Sequence, residues 1–426
     1  MDKFIITGQR PLNGIVTPSG NKNAMLPVLA ASLLTDEELI VENVPRIRDA
    51  DIMLKLLGVL GVEWRWLGTH ELSLRARNVQ PHLLDPELFA EIRGSILLAG
   101  PMLARAGQVT LPRPGGDAIG RRRVDTHLMA LRELGAEVAI DDMYQMVANG
   151  LTGADILLDE MSVTATENTL MAAALAKGAT LIRNAASEPH VQDVARLIQL
   201  MGARVEGLGT NLLRVQGAPR LRGARFRLSA DYMEVGSFIG AAAVTGGELL
   251  IKNADIENLR MVRLMFNRLG LETVAQGADL FIPGGQQLCI RPDAHNAVPK
   301  IEDAPWPGFP ADLMSVMIVV ATQAHGEILI HEKLFESRLF WVDKLIAMGA
   351  KIILCDPHRA VVLGPSPLHG EAVQSPDIRA GMSLLIAALA ARGPSVIHNA
   401  EVIDRGYENI EGRLQQLGAQ IERVKE

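Results

Sequence analysis

The stretch Pro114-Gly-Gly-Asp-Ala-Ile-Gly-Arg-Arg-Arg-Val-Asp125 sets three glycines and one carboxylate ahead of three consecutive arginines, in a chain whose net charge is −7. Glycine lets backbone approach a ligand, and guanidinium forks suit phosphate and carboxylate oxygens. A solvated loop whose arginines only cover surface is the plain alternative, since basic triplets are common. Other charged residues stand where helices are expected to begin. Lys22 and Asn23 open the first, Arg93 and Ser95 the second, Asp312 a later one and Asp377 with Arg379 the last, while Arg405 lies next to a glycine in Ile403-Asp-Arg-Gly-Tyr407. Backbone N–H groups and the helix dipole favour an anion there, and a lysine or arginine adds a full charge. The ordinary alternative at the first helix is an Asn21 or Asn23 cap with Lys22 in water. If these helix starts face one cleft, they make a site for a multiply anionic substrate.

The elements that must carry these residues repeat. Six amphipathic segments end in a hydrophobic residue and a glycine, at Gly61, Gly135, Gly202, Gly270, Gly349 and Gly418, with successive spacings of 74, 67, 68, 79 and 69 residues. Self-similarity at a fixed period marks one copied supersecondary unit, here a small α/β module. Each copy also holds a stretch that is apolar nearly all round, such as Phe238–Val244 or Met382–Ala390, which belongs in an interior. A short β-like run follows each glycine, and the glycine itself fits a left-handed helix C-terminus. Six modules divide three and three, and 426 residues exceed what one core usually supports. The predicted fold class is α/β, with two three-module domains of pseudo-threefold symmetry. We expect one domain over residues 21–228 and the other from residues 1–20 with 229–426, the first strand crossing over to pack in the second.

Composition excludes several classes. Hydrophobic residues make up 48% of the chain and aromatics only 4%, too few for base-stacking platforms, and no basic excess points to nucleic acid. No apolar run reaches the ~18 residues needed to span a bilayer. The N-terminus lacks a signal-peptide pattern, so the expected compartment is the cytoplasm. Cys289 and Cys355 lack metal-ligand spacing and are expected to be buried structural thiols, and neither a metal nor a cofactor is expected.

Four separated pieces, Gly20-Asn-Lys-Asn23, Pro114-Gly-Gly-Asp-Ala-Ile-Gly120, Phe309-Pro-Ala-Asp312 and Ile403-Asp-Arg-Gly-Tyr407, occur in order and in register with the six modules. They closely resemble the UDP-N-acetylglucosamine 1-carboxyvinyltransferases, and the likeness runs the length of the chain. The resemblance implies the two-domain inside-out α/β barrel of the EPSP synthase-like enzymes. It also implies transfer of the enolpyruvyl group of phosphoenolpyruvate to the 3′-hydroxyl of UDP-N-acetylglucosamine with release of phosphate. That addition–elimination passes through a tetrahedral intermediate and is the first committed step of peptidoglycan synthesis. By motif, Lys22, Arg122 and Arg405 hold phosphoenolpyruvate and Arg93 and Arg379 complete the anionic pocket. Asn23 lies near the sugar, and Asp312 is the general base or its orienting group. The remaining substrate contacts implied are Asp125, Ser162, Val163, Leu334, Arg338 and Asp377.

Asp117 occupies the loop position where most members have cysteine, which implies an aspartate proton donor and resistance to the epoxide fosfomycin. The nucleotide loop Glu160-Met-Ser-Val-Thr164 has Glu160 and Thr164 where many relatives carry a basic residue and a glycine. Arg121 and Arg123 are the nearby charges able to compensate for Glu160. Another uridine nucleotide therefore remains open as acceptor, as does a noncatalytic ligand-binding paralogue, although retention of Asp117 and Asp312 argues against the latter. RNA 3′-phosphate cyclases use related modules, but the histidines here share no motif and the net charge is wrong.

Overall fold

The computed structural model describes residues 2–81, 83–117, 119–120 and 122–425. The six all-round apolar stretches are helices, or 3-10 turns running into helices: Lys22–Ala30, Ala99–Ala106, Val163–Ala173, Tyr232–Thr245, Met314–Gln323 and Ile378–Ala390. Every residue of Ile378–Ala390 is buried, as expected of a helix with no polar stripe. The amphipathic helices instead bury one face. The glycines that end them have φ between +87° and +118°, a region that costs a residue with a Cβ and so explains why glycine recurs there.

The chain folds into two compact units. One comprises Met1–Ser19, Ala118–Arg121 and Ala230–Glu426, the other Gly20–Asp117 and Arg122–Ser229. Each has its own hydrophobic core. In the first unit the helices Tyr232–Thr245, Met314–Gln323 and Ile378–Ala390 pack mutually. Strand Asp2–Thr7 lies between Pro394–His398 and Gln420–Lys425, antiparallel to both, and Gly14–Val16 pairs in parallel with Leu249–Ile251. In the second unit Val163–Ala173 packs on Ala99–Ala106 and on the 3-10 turn Arg93–Leu98, which also touches Lys22–Ala30. Its strand Ala224–Arg227 runs parallel to Glu38–Glu42, tying the two ends of the unit together.

Among the described residues there are six small sheets, five of four strands with mixed pairing and one of three strands that is wholly antiparallel. Each stays open, because a module supplies too few strands to close on itself. The central place in each unit goes to helices. No helix among the described residues is long and apolar enough to cross a membrane. Both cysteines are exposed, contrary to expectation. Cys355 is on the edge strand Lys351–Asp356, most of whose residues face water, and strand-like alternation turns Cys289 outward between buried Leu288 and Ile290.

Candidate active site

In the unit that contains Gly20–Asp117, Asn21 caps the first core helix. Its Oδ1 accepts from the backbone N–H groups of Asn23 (2.9 Å) and Ala24 (3.2 Å). This places Lys22 and Asn23 in the first turn. Lys22 is not solvated: it is only 8% exposed, and its Nζ lies 2.8 Å from Asp49 Oδ2, itself buried. Removing either partner of such a pair would leave a buried charge, a cost of roughly 3–5 kcal/mol.

Arg93 begins the turn before the second core helix and reaches into the arginine loop. Its guanidinium donates to the main-chain oxygens of Pro114 (3.4 Å), Arg122 (2.5 Å) and Arg123 (3.1 Å). The side chain therefore fixes the loop's path, and burial, aided by the Arg122 charge, lowers its pKa to about 10. Arg122 lies over Gly116, whose φ is +103°. A Cβ there would come within 2.8 Å of Arg93 Cβ and 3.4 Å of an Arg122 guanidinium nitrogen, so Gly116 is where the loop needs a residue without a side chain. Asp117 follows, half-buried. Arg121 lies outside the described residues. Arg123 pairs with Asp125 (3.2 Å) and Asp159 (3.1 Å), and these two carboxylates account for its charge. Asp125 opens the helix Asp125–Glu133.

Ser162 caps Val163–Ala173, with its Oγ accepting from Ala165 N at 3.4 Å. This helix begins earlier than its apolar stretch suggests and buries Thr166, Glu167, Asn168 and Thr169. Burial first, and Glu188 nearby second, raise the Glu167 carboxyl well above the usual carboxylate range. His127 is buried between Thr164 (3.0 Å) and Asn168 (2.9 Å). Burial and the Arg93 charge lower its pKa to about 3, so it is neutral. Sequence reasoning passed over His127 and Asn168. The available signal was a run of polar residues, with Thr164 and Asn168 four apart on one face, in a helix whose counterparts are apolar.

In the unit that contains Ala230–Glu426, half-buried Asp312 is the centre of an ion cluster. Its Oδ2 lies 3.0 Å from Arg379 Nε, and its Oδ1 accepts from Arg338. Arg379 Nη1 also donates to the Tyr407 hydroxyl at 3.2 Å, which shares a hydrogen bond with Ser237. Burial is the largest single influence and lowers the pKa of both arginines. Asp312, together with Asp377 and Glu332 around Arg338 and with Tyr407 and Asp231 around Arg379, more than offsets it and holds both above the ordinary value. Asp377 caps the last core helix through the N–H groups of Arg379 (2.8 Å) and Ala380 (3.0 Å), which presents Arg379 from the first turn. Leu334 is held by its backbone N–H to Asp303 (3.2 Å). Beside Asp303, buried Glu332 is pushed up to about 10, by burial first and by Asp303 second. Arg405 ends the 3-10 turn Ala400–Arg405 and is half-buried.

The predicted residues thus form two groups. Lys22, Asn23, Arg93, Asp117, Arg122, Asp125, Ser162 and Val163 belong to one unit, and Asp312, Leu334, Arg338, Asp377, Arg379 and Arg405 to the other. Within their units, Arg93 is joined to Arg122, and Asp312 to Arg338 and Arg379. Each group combines cations with at least one carboxylate, as binding an anion and moving a proton require.

Residues 6–414 match the family described as EPSP synthase (3-phosphoshikimate 1-carboxyvinyltransferase). The chain is 54% identical over 424 residues to the UDP-N-acetylglucosamine 1-carboxyvinyltransferase of Bradyrhizobium diazoefficiens, covering 100% of this chain and 98% of the relative. It is 50% identical over 422 residues to the enzyme of the same name from Treponema denticola, covering 99% of each. In fold it is similar to the enolpyruvyl transferase NikO from Streptomyces tendae, with a TM-score of 0.88, 22% identity and 99% of each chain covered.

Proposed function

The chain belongs to the EPSP synthase (3-phosphoshikimate 1-carboxyvinyltransferase) family, and from that premise we propose that it transfers the enolpyruvyl group of phosphoenolpyruvate to the 3′-hydroxyl of UDP-N-acetylglucosamine. The observation that carries this reading is full-length identity of 54% and 50% with two enzymes named for that reaction. Transfer to another nucleotide would be expected to leave its mark as a divergent acceptor half, yet the likeness spans the whole chain. Both substrates are small soluble anions of the cytoplasm, where the protein acts.

The chemistry is addition followed by elimination. A proton goes to the methylene carbon of phosphoenolpyruvate while the sugar 3′-oxygen bonds to C2 and loses its own proton. The tetrahedral intermediate then expels phosphate as the methyl group returns a proton. Asp117 is assigned as the donor to the methylene carbon. Lys22, Arg122 and Arg405 bind the phosphate and carboxylate, whose charge they match and whose departure as phosphate they assist. Arg93 contributes by holding the Arg122 main chain. Asp312 is clamped by two arginines, which makes a carboxylate a poor base. Its assigned role is therefore to orient the sugar hydroxyl, taking the proton only as that clamp loosens. Asn23, Asp125, Ser162, Val163 and Leu334 are assigned to the nucleotide sugar.

A phosphate-release assay with phosphoenolpyruvate and a panel of uridine nucleotides tests the reading. Release that depends on UDP-N-acetylglucosamine and is far weaker with uridine diphosphate or other UDP-sugars is expected. Preference for a different nucleotide would replace the acceptor, and binding of substrates without any release would favour the noncatalytic paralogue.

A further inference from the structure

Asn168 links two core helices through its side-chain amide. Its Oδ1 accepts from the backbone N–H of Gly100 (2.7 Å), and its Nδ2 donates to the main-chain oxygen of Ile96 (2.8 Å). These two backbone groups settle which end of the amide is which, because an N–H cannot accept and a C=O cannot donate. The same Nδ2 stands 2.9 Å from Nδ1 of His127. A donor facing Nδ1 requires that nitrogen to accept, so the proton of the neutral imidazole is on Nε2. The depressed His127 pKa agrees, since a protonated ring would aim an N–H at the amide.

Nε2 lies 3.0 Å from Thr164 Oγ1 and must donate to it. The hydroxyl thus spends a lone pair on the histidine, and its own hydrogen finds no acceptor among the described residues. Thr164 is partly exposed, in the first turn of Val163–Ala173 just after the Ser162 cap, and Gly100, Ile96, Asn168 and His127 behind it are buried. A hydroxyl fixed as a donor at a helix N-terminus is matched to an anionic oxygen.

We propose that Asn168 and His127 are positioning residues that present the Thr164 hydroxyl as a hydrogen-bond donor to a phosphate oxygen of the acceptor nucleotide. This rests on the reading that the acceptor is a uridine diphosphate sugar. The relay supplies a neutral donor in a loop where Glu160 brings negative charge and Arg123 is engaged by Asp125 and Asp159.

The test combines calorimetric binding of UDP-N-acetylglucosamine, steady-state kinetics and nitrogen NMR of the histidines in the full-length protein. Thr164→Val keeps the side-chain shape and removes the donor. Its dissociation constant for the nucleotide sugar should rise roughly tenfold or more, the size expected for a hydrogen bond to a charged group. The KM for phosphoenolpyruvate should stay unchanged, and Thr164→Ser should recover most of the affinity. In the unmodified protein, His127 should show a protonated Nε2 and an unprotonated Nδ1 between pH 5 and 8. Equal affinity in Thr164→Val and the parent, or a proton on Nδ1, would overturn the relay while leaving the acceptor assignment standing. A parent protein that turns over a different nucleotide would instead remove the acceptor reading, and this proposal with it. The NMR result needs no variant to fold.

Discussion

At the scale of single residues, burial has set protonation states that residue identity alone does not reveal. Glu332 is the clearest: its pKa is about 10 in the folded protein against 4.5 ordinarily. The folded state therefore keeps a proton that the unfolded chain releases above about 4.5, so stability from this group is full below that pH and is lost as pH climbs towards 10. Glu332→Gln, which cannot ionise, should raise the melting temperature more at pH 9 than at pH 5. Parallel melting profiles for the two proteins would contradict this. Asp117 makes a chemical prediction instead. A carboxylate opens an epoxide far more slowly than a thiolate does, so the unmodified enzyme should resist covalent inactivation by fosfomycin and Asp117→Cys should become sensitive. Mass spectrometry of the intact protein reads the adduct directly, and a modified parent would remove Asp117 from this role. Lys22 and Arg379 were legible in the sequence as charges at helix starts, and Arg122 as part of a glycine–arginine loop, because both are local patterns. The clamp of Asp312 by Arg338 and Arg379 was not, since it joins residues 26 and 67 positions apart.

At the scale of elements, the repeated glycine was the most readable feature, because a left-handed helix end is a local requirement that one residue type meets cheaply. Close helix packing was unreadable by the same logic: it depends on a partner far along the chain. Gly100 shows the difference. A Cβ there would come within 2.3 Å of the main-chain oxygen of Asn168, so two core helices touch backbone to side-chain position with no slack. Gly100→Ala should cost roughly 1–3 kcal/mol as an overpacked core substitution. Gly150→Ala has φ +81° but nothing within 4 Å, so only backbone strain opposes it. Denaturant titration of the two variants separates packing from strain. If Gly150→Ala proves the more damaging, helix packing at Gly100 is not the tight point described. The start of Val163–Ala173 was also missed, because its buried Thr166, Glu167, Asn168 and Thr169 look like surface residues until the partners that satisfy them are known.

For the whole molecule, the six-fold repeat announced a modular α/β chain, and period and length together suggested two groups of three. Sheet membership needed the structure: that Asp2–Thr7 enters a sheet with strands from the far end of the chain is a long-range pairing with no local signature. Two separate cores predict separable loosening. Phe266→Ala removes a fully buried ring from one core, so hydrogen exchange should quicken in Ala230–Glu426 and Met1–Ser19 well before it does in Gly20–Asp117. Uniform loss of protection would mean that the two units unfold as one. The central claim is the reaction itself, and product structure tests it most directly. With phosphoenolpyruvate labelled with carbon-13 at C2 and C3 and UDP-N-acetylglucosamine as acceptor, NMR should show one labelled enol ether on the sugar 3′-oxygen for every phosphate released. Phosphate released without that ether, or the label found on any other oxygen, would contradict the account.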